Sequence, residues 1–475
     1  MDRKESSPAL MIGLPKSIKK EDCMDNDTKT VAAFLGIDPA DVERTATAAT
    51  PEGAVVHLYT VPFGRECPDC HSQNAEAKGR KERILRHALF LSRPTLFVLH
   101  QRRYRCRECG RTFNEPSPFA AKNAKVTVET ERIVLERLSS FDATFASVAR
   151  ETHLSDTAVM GIFDRRFNPG RSRLPKVLCI DECYGKGQFR KPYCLMLLDW
   201  TRSRLCDVLE GRDIRTMRSY FYAIPEQERL AVECVSIDMY EPYLEMAKSY
   251  FKKATVCVDS FHVMENLCRA LDAVRRRVMN GFPTDSDQYH YLKKYARLLF
   301  VSGLDPFADR TKDRRLCAWL NGWEAVRKMR EISPDIAFAH SYYLSYKEFN
   351  SRPRSAEEAE RRLDALRTDA SVAHIPEMAA FMQTVTNWRS YIANSFAYES
   401  GGRRISNGPV EGFNSQYKKL MRVSNGLSNF QRFRARLILC SRKEVVFSPP
   451  KKGMTRRRAG RKRGKYKRKG AQPNG

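Results

Sequence analysis

The sequence predicts an α/β core that is interrupted by a long helical segment and preceded by two small modules. Between residues 176 and 259, apolar runs of strand length alternate with amphipathic helical runs. The stretch 262–400 then repeats a helical apolar pattern almost throughout. Upstream lie two Cys-x-x-Cys pairs and a pair of short helical runs. A chain of 475 residues is long enough for roughly two to four such domains.

The charge of the chain points to a polyanionic partner. The formal net charge is +28, from 84 Lys and Arg residues against 56 Asp and Glu residues. Residues 451–475 supply twelve of the basic residues and no acidic one, so subtracting twelve from +28 leaves +16 for the rest. A basic tail alone is often a localisation or solubility feature. A basic remainder favours nucleic acid over an acidic protein or a membrane surface.

The apolar runs and the cysteines indicate an intracellular protein. No run approaches the roughly 18 apolar residues that a transmembrane helix needs, and the apolar piece 9–14 is too short for a secretory core. Most of the 14 cysteines stand singly in apolar runs, which is typical of reduced core residues. We therefore expect a cytoplasmic, nucleoid-associated protein with no membrane partner.

Four cysteines differ from the rest because they form two pairs, Cys67/Cys70 and Cys106/Cys109. Each pair can form a tight knuckle, and together they can direct four thiolates at one tetrahedral Zn²⁺. Four thiolates close the coordination shell, so we predict a structural zinc ribbon. Gly110 follows the second knuckle, where a positive φ is often needed. The alternatives are a redox-active pair or a chance arrangement, and three histidines stand nearby as substitute ligands: His71, His87 and His100.

Basic residues crowd the second knuckle. Arg102, Arg103 and Arg105 are predicted to contact DNA phosphates, although a solvated rim would have the same composition.

Residues 128–168 predict helices, two of which are arranged as a helix-turn-helix. Phe145 and Val148 belong to a first short apolar face, and Val159 and Ile162 belong to a second. The turn between them ends at Ser155 or the following Asp, either of which is a suitable N-cap. This arrangement predicts a second helix that enters the major groove of DNA. A plain helical hairpin is the alternative.

The order of the elements in the core is specific. Seven runs predict three strands, a helix, a strand, a helix and a strand. The strands are 176–181, 192–200, 204–210, 231–238 and 254–259, and the helices are 213–224 and 241–251. This is the order of an RNase H-like fold, in which strands one and four lie side by side.

Three acids stand where such a core carries its catalytic groups. Asp181 and Asp259 end two apolar runs, and Glu411 lies where a Gly-Pro turn passes into a basic helix. Phosphodiester chemistry of this kind uses two divalent ions about 3.5–4 Å apart. Mg²⁺ (or Mn²⁺) prefers carboxylate oxygens. We therefore predict that these three residues are catalytic and bind the catalytic metal ions.

Other acids in the same sheet compete with this triad, because strand-end acids also cap loops and form salt bridges. Glu182 and Asp199 are two such competitors, and Asp238 is the strongest because it too ends an apolar run. We keep Asp238 as an auxiliary group near the site. His262, three residues after Asp259, is a second auxiliary residue or a helix cap.

The two halves of the predicted triad are separated by about 150 residues, which is too long for a loop. The segment 263–400 must therefore be an inserted helical domain. After it, Asn414, Lys418 and Arg422 share one helix face with Glu411 and are predicted to contact DNA. A basic surface helix without this role is the alternative.

The chain resembles the ISL-three family of bacterial insertion-sequence transposases from about residue 60 to 445. The resemblance rests on the four-cysteine ribbon, Ile180-Asp181-Glu182, Gly211-Arg212, Asp259-Ser-Phe-His262 and the stretch 406–414 that contains Glu411. It implies a DDE transposase with a structural zinc, which binds the terminal inverted repeats and the target as double-stranded DNA. It further implies a homo-oligomer on DNA. The chain departs from the family pattern at Ser260 and at Cys183-Tyr184.

These features predict seven segments. They are a disordered leader (1–28), a zinc-ribbon domain (29–118), a helix-turn-helix (119–170), the first part of the core (171–262), the helical insertion (263–400), the C-terminal part of the core (401–448) and a disordered basic tail (449–475). Two functions other than transposition remain open on the sequence: a DNA-binding regulator derived from a transposase, and a structure-selective nuclease on the same fold.

Overall fold

The computed structural model describes most of the chain between residues 38 and 441, together with Thr28 and Ala32. The gaps in this range are 52, 89–93, 118, 186, 352–354, 373, 401–402, 407 and 425–426. The predicted basic tail, nearly all of the predicted leader and Asn407 lie outside the described residues. The chain divides into two compact units. Of the described residues, the first unit holds those up to Arg137 and Phe145–Asn168, and the second holds Leu138–Thr144 and those from Pro169 onward.

The first unit is built on a five-stranded sheet. Its strands are β1 (Val42–Thr50), β2 (Gly53–Thr60), β3 (Ala75–His87), β4 (Thr95–Cys106) and β5 (Thr112–Asn114). The order is β1-β2-β4-β3, and the short β5 pairs with β4 beside β2. Strands β3 and β4 pair antiparallel from Ala75↔Cys106 to His87↔Thr95, so they bridge the two cysteine knuckles. Buried Leu58, Phe97 and Leu99 form part of the apolar core of this sheet.

Three helices follow this sheet: α1 (Val128–Leu138), α2 (Phe145–Glu151) and α3 (Asp156–Arg166). Helix α3 begins after Ser155, whose side chain accepts a hydrogen bond from the N–H of Ala158 at 3.2 Å. Of the two predicted caps, the structure selects Ser155. Buried Arg166 donates to buried Glu131 at 2.6 Å, which joins α3 to α1. Removing one partner of such a buried pair typically costs about 3–5 kcal/mol. This ion pair therefore holds α3 of the helix-turn-helix against α1.

The second unit is built on a mixed five-stranded sheet. Its strands are β6 (Val177–Tyr184), β7 (Tyr193–Asp199), β8 (Arg204–Glu210), β9 (Cys234–Ile237) and β10 (Thr255–Val258). Three helices connect them: α4 (Ile214–Tyr222), α5 (Glu226–Leu230) and α6 (Glu241–Tyr250). The order is β10-β9-β6-β7-β8, with β10, β9 and β6 parallel and β7 and β8 antiparallel. Strands one and four of this unit therefore lie side by side, as predicted.

Two strands differ from their predicted bounds by more than one residue at an end. Strand β6 does not end at Asp181 but continues to Tyr184, because its pairing with β7 extends to Tyr184↔Tyr193. The prediction that Asp181 ends its strand is therefore wrong. Strand β9 is shorter than predicted and begins at Cys234, where its pairing with Val177 of β6 begins.

The segment between β10 and Glu411 is mainly helical. It contains α7 (Ser260–Asn280), α8 (Asp287–Lys294), a 3₁₀ helix (Ala296–Phe300), α9 (Gly322–Ile332), α10 (Pro334–Ser351), α11 (Ala356–Val372) and α12 (Pro376–Ala397). It also contains a short antiparallel hairpin of β11 (Thr311–Asp313) and β12 (Ala318–Leu320) and a second pair, β13 (Glu399–Ser400) and β14 (Arg403–Arg404). The hairpin departs from the all-α expectation. Two helices complete the described chain: α13 (Gly408–Val423) and α14 (Phe430–Ser441).

One continuous apolar core joins the sheet of the second unit to these helices. Leu178 and Ile180 on β6 belong to the same buried cluster as Leu267 on α7 and Phe396 on α12. The side-chain amide of Asn394 on α12 also donates to a β10 carbonyl at 2.8 Å. The helical segment is thus packed onto the sheet that carries the acids. None of the described helices combines the length and apolarity that crossing a bilayer requires.

Candidate active site and metal centres

The four paired cysteines meet at one point of the first unit. The Sγ atoms of Cys67 and Cys109 lie 3.5 Å apart, as do those of Cys70 and Cys106. All four sulfur atoms lie within 4.8 Å of one another. Tetrahedral zinc with Zn–S bonds of about 2.3 Å places its sulfur ligands roughly 3.8 Å apart. The donor set therefore fits a closed, structural Zn²⁺ site.

Both knuckles use the same backbone turn. The N–H of His71 donates to the carbonyl of Cys67, and the N–H of Gly110 donates to the carbonyl of Cys106, each at 3.0 Å. Gly110 has φ +72°, as predicted, and His71 occupies the matching position with φ +59°. The first knuckle therefore places a non-glycine residue in the left-handed region, where glycine is preferred.

The nearby histidines do not join the zinc cluster. His87 is buried and lies 2.9 Å from the Thr127 hydroxyl, and His100 stacks on Tyr59 with ring centroids 4.1 Å apart. His71 lies 2.7 Å from Glu66. The geometry of the described residues therefore favours four thiolate ligands.

The three arginines predicted to contact DNA beside the second knuckle have different surroundings. Arg102 is directed inward: its guanidinium donates to the Thr60 carbonyl at 2.6 Å and to Glu43 at 2.7 Å. These contacts engage the guanidinium within the sheet, and DNA contact by Arg102 stays a prediction. Arg103 and Arg105 are exposed, as a phosphate contact requires.

In the second unit, three aspartates align across adjacent strands. Cys179 on β6 is paired with Ser236 on β9, so Asp181 and Asp238, each two residues further on, fall at the same level. Val258 on β10 is paired with Ile237, so Asp259 aligns with Asp238 in turn. Parallel strands are about 4.8 Å apart and aligned residues share a face. The register therefore brings three carboxylates to one edge of the sheet.

His262 lies among these three aspartates. Its Nε2 atom is 2.6 Å from Asp238 Oδ1, 3.9 Å from Asp181 Oδ1 and 4.0 Å from Asp259 Oδ2. Ligand atoms of Asp181, Asp238 and His262 all lie within 4.8 Å of one another. Asp238, predicted only as an auxiliary residue, therefore lies at the centre of the cluster.

Besides aligning with Asp238, Asp259 caps a helix. It is the N-cap of helix α7, and its Oδ1 accepts a hydrogen bond from the N–H of Phe261 at 3.3 Å. The residue is 1% exposed. One of its oxygens is therefore committed to the helix, whereas Asp238 lies at the end of β9 and caps no helix.

Helix α13 brings Glu411 to the same place. Glu411 is exposed at the start of α13, and Asn414, one turn later, donates from Nδ2 to Asp181 Oδ2 at 2.7 Å. A cavity of about 690 Å³ lies between the sheet edge, α7 and α13. Its lining includes Asp181, Asp238, Asp259, His262, Glu411, Asn414 and Lys418.

The electrostatics of the cavity favour a cation. Burial raises the pKa of Asp181, and it raises the pKa of Asp238 to about 6. The pKa of Glu411 is also raised, by burial and by the charges of Asp259 and Asp181. Burial alone would lower the pKa of His262, but its contact with Asp238 and the three carboxylate charges raise it to about 9. Clustered carboxylates destabilise one another as anions, and a divalent cation removes that repulsion.

Glu182, a competitor on the sequence, is ion-paired to Arg212. The guanidinium of Arg212 donates to Glu182 Oε1 at 2.6 Å, and the Tyr243 hydroxyl donates to Oε2 at 3.0 Å. Arg212 itself lies over the ring of Tyr193, 4.0 Å from its centroid. Both carboxylate oxygens therefore have protein donors. The sequence did not predict these contacts of Glu182. The one sequence feature that indicates them is the alternation of side chains along β6, which directs Glu182 away from Asp181.

The helix face predicted to contact DNA divides into two parts. Lys418 is exposed and lines the cavity, and Arg422, one turn further, is exposed and donates to the Lys418 carbonyl at 3.3 Å. Asn414, in contrast, is bound to Asp181 inside the cavity. A DNA backbone can therefore meet the two cations, while the amide belongs to the acidic site.

Three sequence families match the chain. Residues 178–437 match a family described as transposase, with a DDE domain. Residues 64–109 match the zinc-finger of transposase IS204/IS1001/IS1096/IS1165, and residues 115–166 match the helix-turn-helix domain of transposase family ISL3. A search of curated proteins gives no match.

The matches agree with the geometry of both units. The zinc-finger match contains the four-cysteine cluster, and the helix-turn-helix match contains α2 and α3. The transposase match contains all three aspartates and Glu411, and it covers 260 of the 475 residues. The chain belongs to the ISL3 family of transposases, DNA-binding enzymes with a zinc ribbon, a helix-turn-helix and a DDE domain.

Proposed function

We propose that the protein is the transposase of an insertion sequence, which binds the terminal inverted repeats of its element and cuts and joins DNA with two divalent cations, Mg²⁺ or Mn²⁺. The observation that carries this proposal is the alignment of three aspartates on adjacent strands, facing Glu411 across one cavity. Mg²⁺ and Mn²⁺ prefer hard oxygen ligands, which these four carboxylates supply. We infer DNA as the substrate from membership of the transposase family.

We assign an RNase H-like fold to the core of the second unit. Three consecutive antiparallel strands followed by two parallel strands, with helices between, support this assignment. The helical segment between β10 and Glu411 is the insertion, with two short strand pairs in it. The domain bounds 171–262, 263–400 and 401–448 are kept as proposals, although α7 runs across the first of them without a break.

The proposed metal ligands are the predicted Asp181, Asp259 and Glu411, with Asp238 added. Asp181 shares a cluster with Asp238 and is hydrogen-bonded to Asn414 on the helix that carries Glu411. Asp238 shares its cluster with Asp181, whereas Asp259 has one oxygen on the cap of α7. We therefore assign direct contact to Asp181, Asp238 and Glu411, and a supporting contact to Asp259.

The residues of the site would share the chemistry as follows. When bound, two divalent ions supply activation of the attacking oxygen and charge stabilisation of the leaving oxygen. Asp181 holds its position through hydrogen bonds to both of its oxygens. In the absence of a divalent ion, His262 balances part of the carboxylate charge, because its contact with Asp238 and the neighbouring carboxylates raise its pKa to about 9 against the effect of burial. Lys418 and Arg422 lie where they can bind the phosphates that flank the reacting one.

DNA recognition is assigned to the first unit and to the tail. Helix α3 carries the recognition surface, as the second helix of such motifs does. Arg103 and Arg105 lie exposed beside the zinc ribbon and supply phosphate contacts. Residues 451–475 carry twelve basic residues and supply a sequence-independent arm. Two ends must be joined, so we propose that the protein acts as a homo-oligomer on DNA, at the nucleoid.

The test is incubation of the purified protein with DNA that spans both flanks of its gene, in Mg²⁺ or Mn²⁺, beside Glu411→Gln. We expect discrete cuts at the flanks for the unaltered protein and none for the variant. Protection of the flanks without cuts, identical in both proteins, would leave a DNA-binding regulator. Cuts without end specificity and without joining would indicate a nuclease.

A further inference from the structure

The side-chain amide of Asn414 connects two side chains of strand β6. Its Nδ2 donates to Asp181 Oδ2 at 2.7 Å, and its Oδ1 accepts from the thiol of Cys183 at 2.7 Å. Cys183 is 2% exposed, and its thiol is the donor to the Asn414 carbonyl oxygen. Both polar atoms of the Asn414 amide are therefore hydrogen-bonded to side chains of strand β6.

The spacing on β6 explains this geometry. Asp181 and Cys183 are two residues apart in a strand, so both side chains leave the same face of the sheet. That face is covered by α13, which carries Asn414. An amide lying across the two positions meets an acceptor at one end and a donor at the other. The opposite amide orientation would set its carbonyl oxygen against a carboxylate oxygen and leave the Cys183 thiol without its acceptor, so Asp181 and Cys183 together select the orientation that is observed.

Asp181 is consequently held at both oxygens. The N–H of Glu182 donates to Oδ1 at 2.7 Å, and Asn414 donates to Oδ2. Each carboxylate oxygen has two lone pairs, so each keeps one for a cation. Asn414 also lies three residues after Glu411 on α13, on the same side of the helix. The bond from Asn414 thus fixes Asp181 and the helix of Glu411 with respect to each other.

We propose that Asn414 is a positioning residue, held in one amide orientation by Cys183, which sets Asp181 and Glu411 for divalent-ion binding. The inference rests on the function proposed for this site. Neither residue contacts DNA in this role: Asn414 acts through Asp181, and Cys183 acts through Asn414.

The first test compares Asn414→Ala with the unaltered full-length protein by Mn²⁺ titration, followed by electron paramagnetic resonance, and by cleavage of the flanking DNA. Loss of an outer partner of a metal ligand typically costs about 10–100-fold in metal affinity or activity, and we expect both losses here. Binding of the flanking DNA without metal should stay unchanged. Mn²⁺ affinity equal to that of the unaltered protein would overturn the inference.

The second test asks whether the thiol acts through its proton. Cys183→Ala removes the donor and should lower Mn²⁺ affinity, whereas Cys183→Ser retains a donor and should restore most of it. Equal affinity in these two variants would overturn the part assigned to Cys183. Cys206→Ala, a buried cysteine on β8 of the same sheet, controls for lost core volume. Gln416→Ala, on α13, controls for changes to that helix.

The outcomes separate this inference from the proposed function. If the unaltered protein binds Mn²⁺ but does not cut DNA, the proposed function fails, and the titration still decides the role of Asn414. If the unaltered protein cuts DNA and Asn414→Ala cuts it equally well, only the positioning role fails.

Discussion

Two sets of buried acids in the second unit have opposite surroundings. Asp313, at the end of β11, is 1% exposed and is surrounded by donors. Its Oδ2 accepts from Lys294 at 2.9 Å and from the Tyr295 hydroxyl at 2.7 Å, and it lies 2.9 Å from His290 Nε2. Its Oδ1 accepts two backbone N–H groups, from Arg315 and Leu316. Burial alone would raise the pKa of Asp313, but these donors hold it well below its usual range.

The aspartates at the edge of the main sheet face one another instead. Burial and neighbouring carboxylates raise the pKa of Asp181 and that of Asp238, and His262 supplies one positive charge among three aspartates. The comparison teaches how to separate the roles of buried acids. An acid whose charge is balanced by protein cations is structural, and acids that share one cavity with too few cations need an ion from outside.

The largest expected effect is on cleavage. Asp181→Asn should lower cleavage of the flanking DNA by at least about 10³-fold, roughly 4 kcal/mol, because the lost carboxylate holds the ions that stabilise developing charge. The free energy of unfolding should not fall, since the variant removes one of several like charges. Urea denaturation and a cleavage time course measure the two quantities.

Asp199→Asn is the matched control for that variant, because Asp199 is a buried acid of the same sheet whose Oδ1 accepts the Arg202 N–H at 3.1 Å. It should cut DNA normally. A cleavage-competent Asp181→Asn, or one that unfolds, would remove the distinction between the two sets of acids.

The next effect is on stability alone. Asp313→Asn should lower the free energy of unfolding by about 2–3 kcal/mol, because an amide cannot satisfy the donors that converge on the charged carboxylate. Cleavage, measured well below the unfolding temperature, should be retained. Unchanged stability in urea denaturation would show that the donors around Asp313 contribute nothing.

A smaller effect distinguishes Asp259 from its neighbours. Asp259→Asn keeps a good helix cap, since Asn is as effective an N-cap as Asp. We therefore expect a loss of cleavage of about 10–100-fold, as for a supporting residue, and a larger loss for Asp238→Asn. Cleavage assays of both variants, run side by side in Mg²⁺, give the ratio of the two losses. Suppose instead that Asp259→Asn is as inactive as Asp181→Asn, while Asp238→Asn keeps its activity. The residues in direct contact with the metal ions would then be the triad predicted from the sequence.

The smallest effect is the pH dependence of the Asp313 contribution. The pKa of Asp313 is lower in the folded protein than in the unfolded chain, so its stabilisation is fully present above the unfolded value of about 3.9. That stabilisation is lost as the pH falls from there toward the folded pKa. The stability difference between Asp313→Asn and the unaltered protein should be constant from pH 7 to about 5 and shrink below about pH 4. A difference that shrinks as the pH rises would contradict the assignment.

The zinc ribbon and the strand order could be predicted because their signals are local. Cys67 and Cys70 form one knuckle and Cys106 and Cys109 the other, so the sequence itself shows which residues converge. The core strands are short apolar runs separated by turns, and their order follows from connection rules. The prediction that Asp181 ends its strand failed because pairing with β7 continues beyond the apolar run.

The finer geometry of the acidic site depends on contacts that spacing does not show. Cys183 and Asn414 are 231 residues apart, and their hydrogen bond exists only after β6 and α13 have packed. The central place of Asp238 needs the β6–β9 register, which apolar patterning alone does not fix. Arg102 illustrates the same limit: its hydrogen bonds to Glu43 and to the Thr60 carbonyl join residues that are far apart in the sequence.

The most direct measurement is Mn²⁺ binding by the full-length protein, with Asp181→Asn and Asp313→Asn titrated beside it and followed by electron paramagnetic resonance. The thiolate cluster prefers softer ions than Mn²⁺, so it does not compete. We predict that Asp313→Asn binds Mn²⁺ as the unaltered protein does, and that Asp181→Asn loses at least about 10-fold in affinity. Equal Mn²⁺ affinity in all three proteins would contradict the assignment of the aligned aspartates to a divalent-ion site.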